Sequence, residues 1–285
     1  MGEIVAAAVI SHQPGIMAPE EIRKALSGGV DTTLVPGFAE MRKALDATGP
    51  DTFVIFDTHW FTTMQHVIAG GDRYQGTYTS DELPMVIPSY EYDFAGAPEL
   101  ASLVAEVAAE RDVALVNAES PHIAMQYPPL NTLHFLGRDE KVLRVGICQH
   151  GERHNFLELG EVMAEAISRS DARVALLGSG GMSHTFPRMD DSALHMAFGA
   201  ENVISDAARE IDGKILELWS RGDHAAVIDM YEEYSGFKPE GLFGHYLAIA
   251  GALGGRDWNA KGRKMSEYEN ALGTGQVHVW FDLPA

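Results

Sequence analysis

Short apolar runs alternate along the chain with longer segments whose apolar residues recur at helical spacing. This alternation is typical of a layered α/β fold, in which helices cover a largely parallel sheet. Strands are predicted over residues 4–10, 52–58, 113–118, 142–148, 173–178 and 276–282. Helices are predicted over residues 18–27, 36–47, 98–111, 155–169, 201–221, 223–234 and 240–253. We therefore expect a single catalytic α/β domain over residues 1–285, with a central mixed or largely parallel sheet flanked by helices.

Two stretches do not follow this alternation. Residues 66–95 are rich in Gly, Tyr, Thr, Asp and Pro and lack helical periodicity. They predict a long loop with short strands, a kind of excursion that often forms a pocket wall. Residues 120–137 remain ambiguous because Pro121, Pro128 and Pro129 interrupt them.

The charge balance and the cysteine content exclude several classes of function. The 41 acidic residues outnumber the 21 Lys and Arg, for a formal net charge of −20, which argues against binding nucleic-acid phosphates. Cys148 is the only cysteine, so an intrachain disulfide and a thiolate zinc cluster are both excluded. No apolar window approaches the ~20 residues that a membrane span needs. The apolar run at the N-terminus is too short for a signal peptide. We expect a cytoplasmic enzyme that does not bind membranes.

Two histidines stand at the ends of predicted strands. His12 follows the strand at residues 4–10, and His59 follows the strand at residues 52–58. In an open α/β sheet, ligands bind in the crevice beyond the carboxyl ends of the strands. Two imidazoles and one carboxylate would make the ligand set of non-haem Fe(II) oxygenases. Asp57 shares a strand face with His59, so it either supports this site or caps a turn.

A third histidine and one glutamate are further candidates. His184 follows a Gly-Ser-Gly-Gly turn that leaves room for a substrate, and an imidazole in such a place suits acid/base chemistry near neutral pH. Glu240 precedes an apolar helix. Since an acid at a helix N-terminus is favoured by the helix dipole alone, the residues by themselves leave open whether Glu240 is a ligand.

Six segments, taken in order along nearly the whole chain, resemble one family. They are Ser11-His12-Gln13-Pro14, Phe56-Asp57-Thr58-His59-Trp60, residues 76–84, residues 178–184, Glu240-Gly241 and residues 273–277. The sequence resembles the class III, LigB-type extradiol ring-cleavage dioxygenases, and within them the homoprotocatechuate 2,3-dioxygenase branch. The resemblance implies a LigB-like fold and a homodimer or larger homo-oligomer.

The resemblance also implies roles for individual residues. His12, His59 and Glu240 would hold ferrous iron, Fe(II), and His184 would act as the acid/base residue. A catechol-like aromatic diol would be opened with O2 to a semialdehyde, in the catabolism of aromatic compounds. His122 is a second candidate catalytic residue, while Tyr127 and Asp57 are candidates for binding the substrate.

Several alternatives stay open at this stage. Tyr127-Pro128-Pro129 stands where the homoprotocatechuate branch would have Tyr-Gly-Thr, so the ring substrate is not determined. An aminophenol or a dihydroxypyridine also offers two adjacent heteroatoms to the metal. Other possibilities are a zinc-dependent superfamily member acting on a catecholamine-like diol, a non-catalytic subunit and a metallohydrolase.

Overall fold

The computed structural model describes residues 1–284, which form one large sheet, two small ones and nine α-helices. The strands are β1 (Glu3–Ile10), β2 (Thr52–Thr62), β3 (His66–Ala69), β4 (Arg73–Tyr78), β5 (Tyr90–Ala95), β6 (Leu115–Ala118), β7 (Lys141–Cys148), β8 (Arg173–Ser179), β9 (Lys261–Lys264), β10 (Glu269–Ala271), β11 (Thr274–Gln276) and β12 (Val279–Asp282). The helices are α1 (Glu20–Leu26), α2 (Leu34–Thr48), α3 (Pro98–Glu110), α4 (Tyr127–Leu136), α5 (Arg153–Arg169), α6 (Asp206–Arg221), α7 (His224–Asp229), α8 (Tyr231–Ser235) and α9 (Gly244–Ala252).

The main sheet has eight strands in the order β6-β3-β7-β2-β8-β1-β12-β9. Its centre is parallel, since β2 pairs with β7 and β8, and β8 pairs with β1. The pairs β3–β7, β1–β12 and β12–β9 are antiparallel. The α/β class with a mixed, largely parallel sheet is therefore confirmed. Because β2, β8 and β1 are parallel neighbours, their carboxyl ends meet at one edge of the sheet.

Both faces of the sheet are buried, which explains why apolar residues occupy consecutive positions in the central strands, as at Phe53–Phe56 of β2. Val54 and Phe56 of β2 point into the larger core, which α3, α5 and α9 cover. Phe53 and Ile55 point to the opposite face, where Phe38 and other residues of α2 pack. Among the described helices, none is long and apolar enough to span a bilayer.

The interrupted stretches are more regular than the sequence indicated. Residues 66–95 contain β3, which joins the main sheet, and the antiparallel pair β4–β5. Residues 120–137 contain α4, in which Pro128 and Pro129 occupy the first turn, where a missing N–H costs nothing. The C-terminal region also holds the short strands β9, β10 and β11, which no sequence pattern indicated.

Two element boundaries that bear on the candidate site differ from the prediction. Strand β2 continues to Thr62 through an irregularity between Asp57 and Phe61, so His59 lies within the strand. The helix predicted over residues 240–253 begins at Gly244. A short turn at residues 240–243 precedes it, with left-handed backbone at three consecutive residues, and it is this turn that carries Glu240.

Candidate metal centre

His12, His59 and Glu240 converge at the edge of the sheet where β1, β8 and β2 end. One ligating atom from each lies within 4.8 Å of the others. Glu240 Oε1 is 2.9 Å from His12 Nε2 and 3.3 Å from His59 Nε2. The two histidines come together because β8 alone separates the parallel strands β1 and β2.

The turn after β8 brings Glu240 to the histidines. Glu240 donates its backbone N–H to the carbonyl of Met182 at 3.2 Å, and its carboxylate accepts the N–H of Gly181. The backbone then turns left-handed at Gly241, where a Cβ would come within 2.5 Å of Thr58 Cγ2. Thr58 also donates its hydroxyl to Glu240 Oε1 at 2.9 Å. A glycine after Glu240 thus allows the carboxylate to approach the end of β2.

Each histidine is oriented by a contact away from the carboxylate. His12 Nδ1 lies 2.9 Å from Ser179 Oγ, and the Asn131 amide donates to the His12 carbonyl at 3.1 Å. His59 donates its backbone N–H to Asp57 Oδ1 at 3.0 Å. The Ser179 contact orients the imidazole of His12 as a metal ligand requires, whereas the Asn131 and Asp57 contacts fix the backbone of the two histidines.

Asp57 occupies a different position from that of a substrate-contacting residue. Its side chain is fully buried, and its second oxygen has no hydrogen-bond partner among the described residues. Burial raises the pKa of Asp57, and the nearby Arg144 guanidinium only partly offsets this. The structure therefore places Asp57 as a support for the backbone of His59 rather than as a wall of the substrate pocket.

His184 lies beside the carboxylate, with Nε2 at 3.7 Å from Glu240 Oε2. Its imidazole retains 22% exposure, against 4% for His12, so it faces the open side of the cluster. Burial lowers the pKa of His184, and the charge of Glu240 only partly offsets this. A neutral imidazole with one accessible side can accept a proton at neutral pH.

Tyr127 and His122, which belong to the same sequence segment, are placed differently. The Tyr127 hydroxyl is 3.0 Å from His59 Nε2, and the two ring centroids are 4.5 Å apart. Burial raises the pKa of this phenol, so it stays protonated and able to donate. His122 is exposed in the turn before α4, and its ring makes no polar or aromatic contact with the cluster within residues 1–284. The structure thus does not bring His122 to the site.

Several residues around the cluster escaped the sequence analysis. Thr58 and Ser179 lie inside the quoted segments, but only their contacts with Glu240 and His12 reveal a role. Asn131 sits on α4, far from His12 in sequence, and no local signal indicates it. His245 packs under the turn, where a Cβ on Gly180 would come within 2.7 Å of its ring.

The charges of the cluster suit a divalent cation. Burial disfavours an ionised Glu240, but the neighbouring histidines, of which His12 has the largest effect, outweigh it and hold the pKa of the carboxyl well below its usual range. Burial likewise opposes protonation of His59, but the hydrogen bond to Glu240 and the charges of Glu240 and Asp57 together outweigh it and raise the pKa of that imidazole. An ionised carboxylate beside two imidazole nitrogens, buried and close together, is a donor set that binds Fe(II) or Zn(II).

Comparisons with known proteins agree with this geometry. Residues 6–281 match the model of the family described as the catalytic LigB subunit of aromatic ring-opening dioxygenase. The 3,4-dihydroxyphenylacetate 2,3-dioxygenase of Escherichia coli is 29% identical over 265 residues, which is 92% of this chain and 94% of the relative. The 2-aminophenol 1,6-dioxygenase beta subunit of a Pseudomonas species is 23% identical over 245 residues, covering 82% and 79% of the two chains.

The fold is also found in a solved structure. The crystal structure of an uncharacterized protein from Escherichia coli K12 superposes with a TM-score of 0.62 at 16% identity, covering 98% of this chain and all of the other. At that identity the likeness concerns the fold alone. The family match, by contrast, spans every residue of the cluster. The chain therefore belongs to the LigB family of catalytic subunits of aromatic ring-opening dioxygenases and is an extradiol ring-cleavage dioxygenase.

Proposed function

We propose that the chain uses Fe(II) to open the ring of a catechol-like diol with O2, and that His12, His59 and Glu240 hold the metal. The observation that carries the proposal is the convergence of these ligating atoms within 4.8 Å at the sheet edge. The diol class follows the E. coli relative named for 3,4-dihydroxyphenylacetate. Two histidines and one carboxylate leave several coordination positions free, as non-haem Fe(II) oxygenases require. Bound there, ferrous iron would supply the redox chemistry between the diol and O2.

The residues around the cluster divide into two groups by exposure. His12 and Glu240 are nearly inaccessible, whereas His59 and His184 retain 24% and 22% exposure. The substrate therefore approaches from the side of His59 and His184. Tyr127 is itself buried, with its hydroxyl 3.0 Å from His59 Nε2. His184 takes a proton from a diol oxygen at its imidazole and later returns one, which a neutral imidazole can do at pH 7. Tyr127 donates its hydroxyl to an oxygen of the bound ring.

Iron is preferred over zinc because the family opens aromatic rings with dioxygen, and zinc has no redox chemistry. We further propose that residues 1–285 act as one catalytic domain and that the enzyme is a cytoplasmic homo-oligomer. No nucleic acid or membrane is needed as a partner in this proposal. The small-molecule partners are an aromatic diol and O2.

Metal-free protein reconstituted under anaerobic conditions tests this function. Fe(II) is added to one sample and Zn(II) to another, and oxygen uptake is followed with 3,4-dihydroxyphenylacetate, catechol, gallate, 2-aminophenol and a dihydroxypyridine. We expect uptake with the iron sample and a diol, together with a yellow ring-opened product. Activity with zinc alone would overturn the choice of metal, and preference for 2-aminophenol would overturn the diol.

A further inference from the structure

Asp212 is a fully buried carboxylate on α6, outside the metal cluster. Its side chain accepts the backbone N–H of Ser183 at 3.1 Å and the Ser183 hydroxyl at 2.7 Å. It also accepts the hydroxyls of Tyr234 at 2.8 Å and Tyr268 at 2.6 Å. No Lys, Arg or His forms an ion pair with Asp212 among residues 1–284. A buried carboxylate without a cation is costly, so these four donors must stabilise it.

The carboxylate acts on the residue that directly precedes His184. The Ser183 carbonyl accepts the N–H of Gly275 at 2.9 Å, and the His184 N–H donates to the Phe237 carbonyl at 3.2 Å. Gly275 makes the approach possible, because a Cβ there would come within 2.3 Å of Asp212 Oδ2. Asp212 thereby joins α6, α8 and the C-terminal region to the turn that carries His184.

The Gly-Ser-Gly-Gly turn before His184 has few side chains of its own that could stabilise its conformation. Gly180 and Gly181 contribute no side chains, and glycine loses more conformational freedom on folding than any other residue. The backbone at Ser183 is therefore held by long-range bonds, and Asp212 supplies two of them to one residue. A shift of about 1 Å in a reacting group can cost roughly 10²-fold in rate, so the support of this turn bears directly on catalysis.

We propose that Asp212 is a positioning residue for the acid/base chemistry of His184, acting through Ser183. This inference rests on the proposed role of His184. It assigns Asp212 no contact with the substrate or the metal. Its effect should therefore exist only while the His184 imidazole is present.

A double-mutant cycle tests the assignment in the iron-loaded enzyme. Asp212→Asn preserves the shape of the side chain but replaces one accepting oxygen with a donor. We expect kcat to fall roughly tenfold or more while KM and the bound iron stay unchanged, because only transition-state positioning is lost. In the His184→Ala background, the same change should leave the residual rate unaltered. Ser183→Ala removes the hydrogen bond from the Ser183 hydroxyl to Asp212. It should also lower kcat, but by a smaller factor than Asp212→Asn does.

The control is Glu269→Gln, which alters a buried carboxylate that also accepts Thr hydroxyls and a backbone N–H but forms no hydrogen bond to Ser183 or His184 among residues 1–284. It should leave kcat unchanged. If Asp212→Asn lowers the residual rate of His184→Ala by its full factor, or removes the iron, the inference is overturned. If Asp212→Asn does not fold, an undiminished kcat in Ser183→Ala would overturn it as well. Full activity in His184→Ala alone would instead overturn the proposed role of His184.

Discussion

Ser179 Oγ lies 2.9 Å from His12 Nδ1, and this contact joins the ends of the adjacent parallel strands β8 and β1. It occupies one ring nitrogen of His12 and leaves Nε2 directed at Glu240. The orientation of the imidazole is thus determined by a residue of the neighbouring strand. The hydroxyl belongs to the same Gly-Ser-Gly-Gly segment that leads to His184.

Ser179→Ala should weaken metal binding without removing the ligands. Loss of a partner that orients a ligating histidine costs about 10- to 100-fold in metal affinity. Competition with a chelator of known affinity measures the change. Ser102→Ala, which removes an exposed hydroxyl on α3, serves as the control. An affinity equal to that of the wild type would show that Ser179 does not orient His12.

His12→Ala and His59→Ala should each abolish stoichiometric metal binding, because only two ligands would remain at the cluster. Metal analysis after dialysis checks this. His154→Ala replaces a histidine with 70% exposure and should bind as much metal as the wild type. Undiminished iron in either cluster variant would contradict the assigned ligands.

Tyr127→Phe should retain the metal and reduce kcat/KM for the diol about tenfold, the loss expected for one hydrogen bond of about 1.4 kcal/mol. The hydroxyl removed lies 3.0 Å from His59 Nε2. Steady-state oxygen uptake measures the effect. Tyr231→Phe, at a tyrosine on α8 away from the cluster, should not change it. An unaltered kcat/KM in Tyr127→Phe would exclude a substrate contact.

Gly181→Ala and Gly213→Ala form a matched pair. A Cβ at Gly181 would come within 2.7 Å of Gln276 Nε2 and 3.0 Å of the Gly275 carbonyl, whereas nothing lies within 4 Å at Gly213. We expect the first change to cost about 1–3 kcal/mol of unfolding free energy by overpacking, and to weaken metal binding. The second should stabilise α6 by about 0.4–1 kcal/mol. Urea unfolding of the metal-free proteins measures both unfolding free energies. An equal change in the two variants would refute the predicted difference between Gly181 and Gly213.

The buried His224 should make stability dependent on pH. Its ring stacks on Trp258, and burial lowers its pKa to about 4. As pH falls below the ordinary value of about 6.5, the unfolded chain gains a proton that the native state does not, so stability is lost. The loss runs down to pH about 4 and reaches about 2 kcal/mol by pH 5, at 1.36 kcal/mol per unit.

Urea unfolding of metal-free protein at pH 7.5 and pH 5 measures this dependence. His224→Gln cannot titrate, so its loss of stability between the two values should be smaller than that of the wild type. His154→Gln, at an exposed site, should behave as the wild type does. An equal pH dependence in His224→Gln and the wild type would show that His224 contributes nothing to it.

The central strands could be predicted because their signal is local. Residues 53–56, within the strand predicted over residues 52–58, form a continuous apolar run, and such a run predicts a strand buried on both faces. The prediction of a loop with short strands over residues 66–95 did not place β3 in the main sheet, since the pairing of a four-residue strand depends on its partners more than on its own composition. The left-handed turn before α9 was also missed, because Leu242 and Phe243 rarely adopt positive φ and tertiary contacts hold them there.

In the candidate site, too, some residues have a local sequence signal and others depend on tertiary contacts. His12 follows the strand β1, and His59 comes shortly after the apolar run at residues 53–56, so their place at the sheet edge could be inferred from the residues alone. Glu240 needed the resemblance to a family, since a carboxylate before a helix has an ordinary explanation. His122 shared a segment with Tyr127, yet the turn before α4 leaves it exposed and outside the cluster.

The sequence by itself determined the alternation of strands and helices and the position of His12 and His59 close after apolar runs. Hydrophobic periodicity could indicate both because it depends only on residues that are neighbours along the chain. Only the tertiary structure decided which strands are adjacent, how Glu240 reaches His12, and why Asp212 supports Ser183. Those relationships join residues that are distant along the chain. Their energies come from burial and hydrogen bonds that exist only once the whole sheet has formed.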